Sequence, residues 1–394
     1  MNERARMATL SGIASIVGVG DTDYAADYQL AREKKVTRDS YGYAALAFKR
    51  ALDDAGLAKS DIDGLIAGPT LASERLGEIL GLDVRWSAQA DAVNAVISAV
   101  MAINAGAAEC IALVYGNNQR TKGTQYGGPQ ADGGDRYLAY TYYAPWGMTS
   151  QGALYALMTQ RYMALYGLEM RDLAEIAVAQ RKFAQLNDNA IMREPMSVDQ
   201  YLAARYICEP LRLNDYCLVN DGGVALIVTT TERARNMKRK GVVVSGIGRS
   251  DINRDATSLR PRLVDFYHTA HKQTAEQVFS NAGAGNADID LVQIYDSFSS
   301  HILFALEGFS YCGIGEAKFF IANGAIGPGG RLPVNTSGGH LSESYMQGWN
   351  HHVEIVRQLR GETGARQVSK ARHAQYISDI AGKVASIIYK AEGA

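Results

Sequence analysis

Short and long apolar stretches alternate along the chain, and they predict strands and helices in a regular order. The first half is predicted to form a strand at 13–20, a helix at 40–55, a strand at 64–68, a small-residue helix at 93–105 and a strand at 110–115. The second half repeats this order at 242–248, 267–282, 291–295, 350–359 and 383–389. The first helix of each half ends in Ala-Gly, a common C-cap. This alternation predicts parallel sheets covered by helices.

Two short motifs recur at nearly one offset, which indicates an internal duplication. Val17-Gly-Val-Gly20 resembles Ser245-Gly-Ile-Gly248, 228 residues later. Ala55-Gly56, followed by an Asp-Ile-Asp turn, resembles Ala282-Gly283 followed by the same turn, 227 residues later. Two independent matches at almost the same offset predict two equivalent halves. We expect these halves to pack about a pseudo-twofold axis as a five-layer α/β/α/β/α arrangement.

The predicted halves comprise residues 1–240 and 241–394, and the first contains an insertion at 117–205. Helices are predicted within it at 151–166 and 170–185. Its first part is rich in glycine and in aromatic residues, namely Tyr126, Tyr137, Tyr140, Tyr142, Tyr143 and Trp146. A loop region of this length usually covers a site or forms an interface. The sequence leaves a substrate lid and a dimer contact equally open.

Composition and charge narrow the class of protein. Of 394 residues, 47% are hydrophobic and 21% charged, and the net charge is −1 without a dense Lys/Arg run, so a nucleic-acid partner is not expected. Residues 95–116 are strongly apolar, but Asn104, Gly106 and Glu109 interrupt them. They predict a buried helix and strand instead of a membrane span. The first ten residues lack a hydrophobic signal core, so we expect a cytoplasmic protein.

The cysteines predict neither a structural zinc site nor a disulfide framework. There are four, and none forms a CxxC pair: Cys110, Cys208, Cys217 and Cys312. In a cytoplasmic enzyme, free thiols are expected.

Several motifs resemble the thiolase superfamily, in particular its sterol-carrier-protein thiolase branch. They are Asn335-Thr-Ser-Gly-Gly339 with the run 356–368, Tyr295-Asp-Ser-Phe-Ser299, Cys312-Gly-Ile-Gly-Glu316 and Asn220-Asp-Gly-Gly-Val224. The resemblance covers nearly the whole chain. It implies the duplicated five-layer thiolase fold with an inserted loop region, in agreement with the internal repeat.

The chain departs from this family where the family keeps its reactive groups. The family's nucleophilic cysteine stands about twenty residues before an Ala-Glu-Cys strand, here Ala108-Glu-Cys110, and counting back reaches Gln89-Ala-Asp91. Glutamine cannot form an acyl-enzyme thioester. The two histidine motifs read Tyr295-Asp-Ser-Phe298 and Ser344-Tyr-Met346, and the C-terminal segment Tyr376-Ile-Ser-Asp379 carries no thiol.

Tyrosine at both histidine positions resembles the steroid side-chain-cleaving aldolases of this superfamily. The resemblance implies that Tyr295 and Tyr345 are catalytic and that the enzyme works as a homodimer with a small zinc-ribbon/OB-fold partner. The expected reaction is retro-aldol cleavage of a β-hydroxyacyl-CoA thioester with a bulky, steroid-like substituent. One tyrosine would take the hydroxyl proton and the other would stabilise the enolate, in an order that the sequence leaves open. No metal or cofactor is expected, since CoA belongs to the substrate.

Five further residues are candidates for contacting substrate. Gln89 and Asp91 occupy the vacated nucleophile position, His340 follows the glycine loop that Asn335 begins, and Asp296 follows Tyr295. Asp296 is also a candidate for orienting its neighbour, although strand geometry would point the two side chains apart.

Other histidines are weaker candidates. His351 and His352 are adjacent on a predicted helix and should point about 100° apart, so they would not chelate together. His268 and His271 are expected at the surface or as caps.

Two alternative functions stay open from the sequence. One is a thiolase or acyltransferase that uses another cysteine. The other is a non-catalytic acyl-CoA-binding subunit that retains only the fold.

Overall fold

The computed structural model describes residues 10–35, 38–124, 146, 150–251, 265–266, 268–380 and 383–393. Described strands and longer helices of the first half are β1 Ala14–Asp21, α1 Tyr24–Arg32, α2 Ser40–Ala55, β2 Gly64–Ala67, α3 Ser73–Leu80, β3 Trp86–Gln89, α4 Ala92–Asn104, β4 Cys110–Asn118, α5 Gln151–Tyr166, α6 Met170–Gln185, α7 Val198–Ala203, β5 Tyr206–Cys208, β6 Leu211–Arg212, β7 Asp221–Thr230 and α8 Thr231–Arg235. Those of the second half are β8 Val242–Asp251, α9 His268–Ala282, β9 Leu291–Ile294, α10 Ser300–Gly308, α11 Ala317–Ile321, α12 Gly339–Ser342, α13 Trp349–Arg360, β10 His373–Ile380 and β11 Lys383–Ala391.

Nine of these strands form one mixed sheet in the order β3-β2-β4-β7-β1-β8-β11-β10-β9. The pairs β2–β3, β2–β4 and β9–β10 are parallel. The central strands pair antiparallel, including β1–β7, β1–β8 and β10–β11. The prediction of purely parallel sheets is therefore wrong for the centre. Strands β10 and β11 are joined directly, and a short hairpin connection requires antiparallel strands.

The duplication is visible in the strand order, which is symmetric about the β1–β8 pair. Moving outwards, β7, β4 and β2 correspond to β11, β10 and β9. The sequence had matched the strand at 110–115 with that at 383–389. This match is wrong, because strand β10 was missed and is the true counterpart of β4.

Helices sandwich the sheet in five layers, as predicted. Helix α2 packs on the outer face of β1, β4 and β7, and α9 packs on β8 and β11. Between the two halves of the sheet, α4 contacts β7 and β11, while α13 contacts β1 and β10. Helix α4 is buried along most of its length, as a helix between two sheets must be.

The repeated glycines of β1 and β8 allow these outer helices to approach closely. A Cβ atom at Gly18 or Gly20 would collide with backbone carbonyls of α2, and one at Gly246 or Gly248 would collide with those of α9. The same contact in both halves requires glycine at both places. This explains why the motif was detectable as a repeat.

The described part of the insertion contains three helices, α5 to α7, of which the first two have the predicted bounds. Of the predicted aromatic cluster, Trp146 is described and is 85% exposed. Its tyrosines, Tyr126, Tyr137, Tyr140, Tyr142 and Tyr143, lie outside the described residues. Among the described helices, none is both long and apolar enough to span a bilayer.

Candidate active site

The two predicted tyrosines meet, although 50 residues separate them in the chain. Tyr295 directly follows β9, and its N–H donates to the carbonyl of Ile377 on β10 at 2.9 Å. Tyr345 follows α12, and its N–H donates to Asn220 Oδ1 at 2.8 Å. The two phenol oxygens are 2.9 Å apart. Their side chains are 6% and 8% exposed, so the hydroxyl pair lies at the edge of the interior.

Asn335 fixes the end of β9, from which Tyr295 projects. Its Oδ1 accepts the N–H of Ile294 at 2.7 Å, and its Nδ2 donates to the carbonyl of the same residue at 3.0 Å. Asn335 has a φ of +54°, a left-handed conformation that asparagine tolerates better than most residues. It is fully buried and both ends of its amide are occupied, so it shapes the backbone of the site.

His340 lies behind both tyrosines. Its ring centroid is 4.9 Å from that of Tyr295 and 5.1 Å from that of Tyr345, both in edge-on packing. Its Nε2 accepts the backbone N–H of Gly348 at 3.0 Å, and its Nδ1 faces Asp296 Oδ1 at 3.2 Å. Burial lowers the pKa of His340 to about 3, so the ring is neutral and carries its proton on Nδ1.

Asp296 is buried beneath this ring and does not reach outwards. Both of its carboxyl oxygens lie 3.0 Å from the backbone N–H of His340. Oδ1 also lies 3.2 Å from Nε2 of His351, whose Nδ1 lies 3.0 Å from Gln293 Oε1. The structure thus places Asp296 and His340 as supports of the tyrosine pair.

Asp296, His340 and His351 present one ligand atom each within 4.8 Å of one another, which is a spacing that a metal ion can use. The hydrogen bonds argue against this use. Because Nε2 of His340 accepts from Gly348, Nδ1 holds the proton and has no lone pair for a cation.

The vacated nucleophile position lies at the start of α4. Asp91 caps this helix and accepts the N–H of Asn94 at 3.1 Å. Gln89 ends the edge strand β3 and donates to the carbonyl of Leu71 at 2.6 Å. Burial, then the charges of Tyr295 and Asp91, raise the pKa of Tyr376 well above its ordinary value. A Cβ atom added at Gly348 would meet both the Tyr376 hydroxyl and the Tyr295 ring, so these two side chains lie close together.

None of the four cysteines has the features of a nucleophile. All are free, and burial is the largest cause that raises the pKa of each thiol. For Cys110 the pKa is about 11 and for Cys312 about 12. Cys217 is near Asp296, whose charge raises its pKa further. A reactive cysteine needs the opposite shift.

Sequence reasoning missed three contributors to this region. His351 was only a weaker candidate from the sequence, and its Nε2 lies 3.2 Å from Asp296 Oδ1. His271 was expected at the surface or as a cap; this is wrong, because the ring is fully buried with Nε2 3.1 Å from Asp379 Oδ2. His301 was not considered, although its Nε2 lies 3.1 Å from Ser297 Oγ. Asn220, which accepts the N–H of Tyr345, did give a sequence signal, because its motif resembles the family.

Comparisons with known proteins agree with this arrangement. The family model "Thiolase C-terminal domain-like" matches residues 255–387. A 17-hydroxy-3-oxo-4-pregnene-20-carboxyl-CoA lyase of Mycobacterium tuberculosis is 35% identical over 384 residues, covering 92% of this chain and 95% of the relative. A steroid side-chain-cleaving aldolase of Thermomonospora curvata is 33% identical over 371 residues, covering 90% of this chain and 92% of the relative.

Solved structures give the same result. The "Ltp2-ChsH2(DUF35) aldolase" superposes with a TM-score of 0.88 at 29% identity, covering 98% of this chain and 100% of that one. An SCP2-thiolase-like protein type 1 from Mycobacterium smegmatis superposes with a TM-score of 0.72 at 18% identity over 98% of this chain and 79% of that one, which shows the shared fold. The chain belongs to the thiolase superfamily and is an aldolase, a carbon–carbon lyase, of that superfamily.

Proposed function

We propose that this protein cleaves a β-hydroxyacyl-CoA thioester by a retro-aldol reaction. The observation that supports this most strongly is the contact between the phenols of Tyr295 and Tyr345, in a site without a reactive thiol. Two hydroxyl groups at one point supply the two functions that the reaction needs. One removes the β-hydroxyl proton, and the other donates a hydrogen bond to the developing enolate oxygen.

The proposed reaction balances without a covalent intermediate. The β-hydroxyl loses its proton as its oxygen forms the carbonyl of a ketone or aldehyde. The bond between the α and β carbons breaks, and its electron pair forms the thioester enolate. A proton returned to the α carbon gives a shortened acyl-CoA. No redox cofactor or metal takes part in these steps, so we propose that none is needed.

A bulky, steroid-like substituent on the β carbon is the proposed substrate feature. Support comes from the two relatives, which are named as a pregnene carboxyl-CoA lyase and a steroid side-chain-cleaving aldolase. We also propose that the chain forms a homodimer with a small zinc-ribbon/OB-fold partner. Support comes from the similar "Ltp2-ChsH2(DUF35) aldolase", whose name includes a second component, ChsH2(DUF35). Residence in the cytoplasm is proposed from four free cysteines.

The reaction is tested by incubating the protein, copurified with its partner, with steroid β-hydroxyacyl-CoA thioesters. Mass spectrometry should detect the ketone and the shortened acyl-CoA in equal amounts, without added CoA. In deuterated water, the acyl product should gain one deuteron at its α carbon. A requirement for free CoA, or an acyl group trapped on a cysteine, would instead identify a thiolase. Tight acyl-CoA binding without turnover would identify a non-catalytic subunit.

A further inference from the structure

A chain of hydrogen bonds behind the tyrosines begins at the ion pair between Arg366 and Glu354. The charge of Glu354 fixes which atom donates in each bond of the chain. Arg366 Nη2 lies 3.0 Å from Glu354 Oε2, which therefore accepts. The hydroxyl of Thr336 donates to Glu354 Oε1 at 2.8 Å, so its oxygen accepts from Gln293 Nε2 at 2.9 Å. The other end of this amide, Oε1, faces Nδ1 of His351 at 3.0 Å. An amide oxygen only accepts, so Nδ1 of His351 carries a proton.

The chain can also be followed from the other end. The backbone N–H of Gly348 is a fixed donor to Nε2 of His340 at 3.0 Å; the approach of Asn350 Oδ1 to the same nitrogen, at 3.2 Å, is the longer contact. The proton of His340 is therefore on Nδ1, facing Asp296 Oδ1. The backbone N–H of His340 donates to Asp296 at 3.0 Å.

The first chain of hydrogen bonds ends at His351 and the second ends at Asp296. The contact between these two residues involves one proton whose position the two chains do not assign. Nε2 of His351 lies 3.2 Å from Asp296 Oδ1. If His351 has its single proton on Nδ1, its Nε2 carries a lone pair. An ionised Asp296 would then present an oxygen lone pair to this nitrogen lone pair, with no proton between them. A hydrogen bond at this distance requires one additional proton between the two atoms.

Burial decides where this proton resides. Both side chains are fully buried, and an ion pair there would lose the hydration of both charges. Burial raises the pKa of Asp296 and lowers that of His351, so burial shifts each group towards its neutral form.

We propose that Asp296 is a neutral carboxylic acid that donates a hydrogen bond to His351, and that this pair positions Tyr295 and Tyr345 through His340. The proposal rests on the function proposed above and deepens it. Asp296 and His351 act here as positioning residues, since neither touches the phenols directly in a hydrogen bond of the described structure.

Neutrality at this place matters for the reaction. An anionic carboxylate one imidazole ring away would disfavour negative charge on a phenol, and it would equally oppose an enolate beside that phenol. A carboxylic acid gives the same hydrogen-bond scaffold without the charge. His340 can then remain in the Nδ1-protonated form, packed edge-on against both tyrosines.

Among the residues that the structure describes, the other ionisable groups around the pair do not supply an opposing charge. Cys217 faces Asp296, and burial raises the pKa of its thiol. His301 faces His340, and burial lowers its pKa to about 4. His352 lies beside His351, and burial lowers its pKa to about 3. Glu354 also faces His351, but Arg366 neutralises its charge.

The test combines infrared spectroscopy with the pH dependence of turnover, on the protein with its partner. The spectrum of the wild type minus that of Asp296→Asn should contain the C=O band of a protonated carboxyl group above the amide region. Asp296→Asn is a spectral reference only, because its amide would face the Nδ1–H of His340. Glu343, whose pKa burial raises to about 8, is present in both proteins and cancels.

His351→Gln changes the state of the pair without removing Asp296. The glutamine amide oxygen can still accept a hydrogen bond from Asp296, but it is a much weaker base than an imidazole nitrogen, so Asp296 should ionise more readily. The carboxyl band should vanish, and the rising limb of the kcat–pH profile should move up by about one pH unit, with kcat at pH 7 falling about tenfold or more. His352→Gln is the matched control. His352 is equally buried but contacts the hydroxyl of Tyr389 at 2.7 Å, so its replacement should change neither readout.

Absence of the carboxyl band from active wild-type protein, or an unshifted profile in His351→Gln, would overturn the proposal. If Asp296→Asn does not fold, the wild type and His351→Gln still give the difference spectrum. Failure of the aldolase proposal is recognised separately, since the wild type would then cleave no thioester whatever its spectrum shows.

Discussion

Replacing Tyr345 by phenylalanine removes one hydroxyl from the centre of the site and little else. The phenol oxygen is 2.9 Å from that of Tyr295, and the side chain is 8% exposed. The backbone at this position is held independently, because its N–H donates to Asn220 Oδ1 at 2.8 Å. Phenylalanine fills the same volume, and the ring can keep its edge-on packing with His340.

The structural cost should be small and the catalytic cost large. Each neutral hydrogen bond that is lost costs about 1 kcal/mol of unfolding free energy. Loss of a proton-transfer group reduces kcat about 10²- to 10⁴-fold, and loss of an enolate donor reduces it about 10²- to 10³-fold. Either assignment of roles therefore predicts a fall of at least about 10²-fold, and the same holds for Tyr295→Phe.

The assay measures release of the ketone from a β-hydroxyacyl-CoA by the protein with its partner, alongside urea unfolding of each variant. Tyr389→Phe is the matched control, because Tyr389 is fully buried and its hydroxyl contacts His352 at 2.7 Å, away from the tyrosine pair. It should lose similar stability and keep its turnover. Normal turnover in Tyr345→Phe would refute the catalytic assignment.

Three further predictions concern thiols, acid stability and the loop after Tyr345. Turnover should be insensitive to iodoacetamide at pH 7.5, because burial raises the pKa of all four thiols. His301, His340 and His352 are neutral when folded, with pKa values lowered by burial from 6.5 to about 4, 3 and 3, so unfolding takes up protons below pH 6.5. Stability should fall on acidification, by about 2 kcal/mol per histidine at pH 5. Gly348→Ala should reduce both stability and turnover, since φ is +89° and a Cβ would strike the Tyr376 hydroxyl.

Each of these has a clear contrary result. Stoichiometric loss of turnover with alkylation of one cysteine would restore a thiol mechanism. Urea unfolding at pH 7 and pH 5 with equal midpoints would show that folding does not lower the pKa values of these three histidines. Wild-type stability of Gly348→Ala would mean that the loop relaxes away from Tyr376, and Gly361→Ala is its control, because Gly361 has a φ of +76° but no atom within 4 Å of an added Cβ.

Local sequence was informative wherever a local rule governs the structure. Helices α2, α5 and α6 were predicted to the residue, because helix-ending signals such as the Gly56 C-cap act within a few residues. Strand β10 was missed, although six of its eight residues are buried. Its role as the counterpart of β4 depends on strand pairing across the sheet, and a local sequence pattern does not specify that pairing.

Some properties of the site residues follow from local helix geometry, whereas others depend on tertiary contacts. Helix geometry predicts that His351 and His352 point in different directions. In the structure, His351 contacts Gln293 and Asp296, whereas His352 contacts Tyr389. Which of the two faces the site is set by how α13 packs between the half-sheets. His271 was misplaced for the same reason, because burial of α9 against β8 and β11 is a tertiary property.

The sequence by itself determined that the chain is duplicated, that it has no cysteine at the nucleophile position, and that tyrosine stands at two motif positions. These are statements about residue identity, and identity can be read without coordinates. Only the tertiary structure decided that the two phenols are 2.9 Å apart and that one proton must lie between Asp296 and His351. A proton's position follows from the direction of every hydrogen bond around it, and here those bonds join residues about 50 positions apart in the chain.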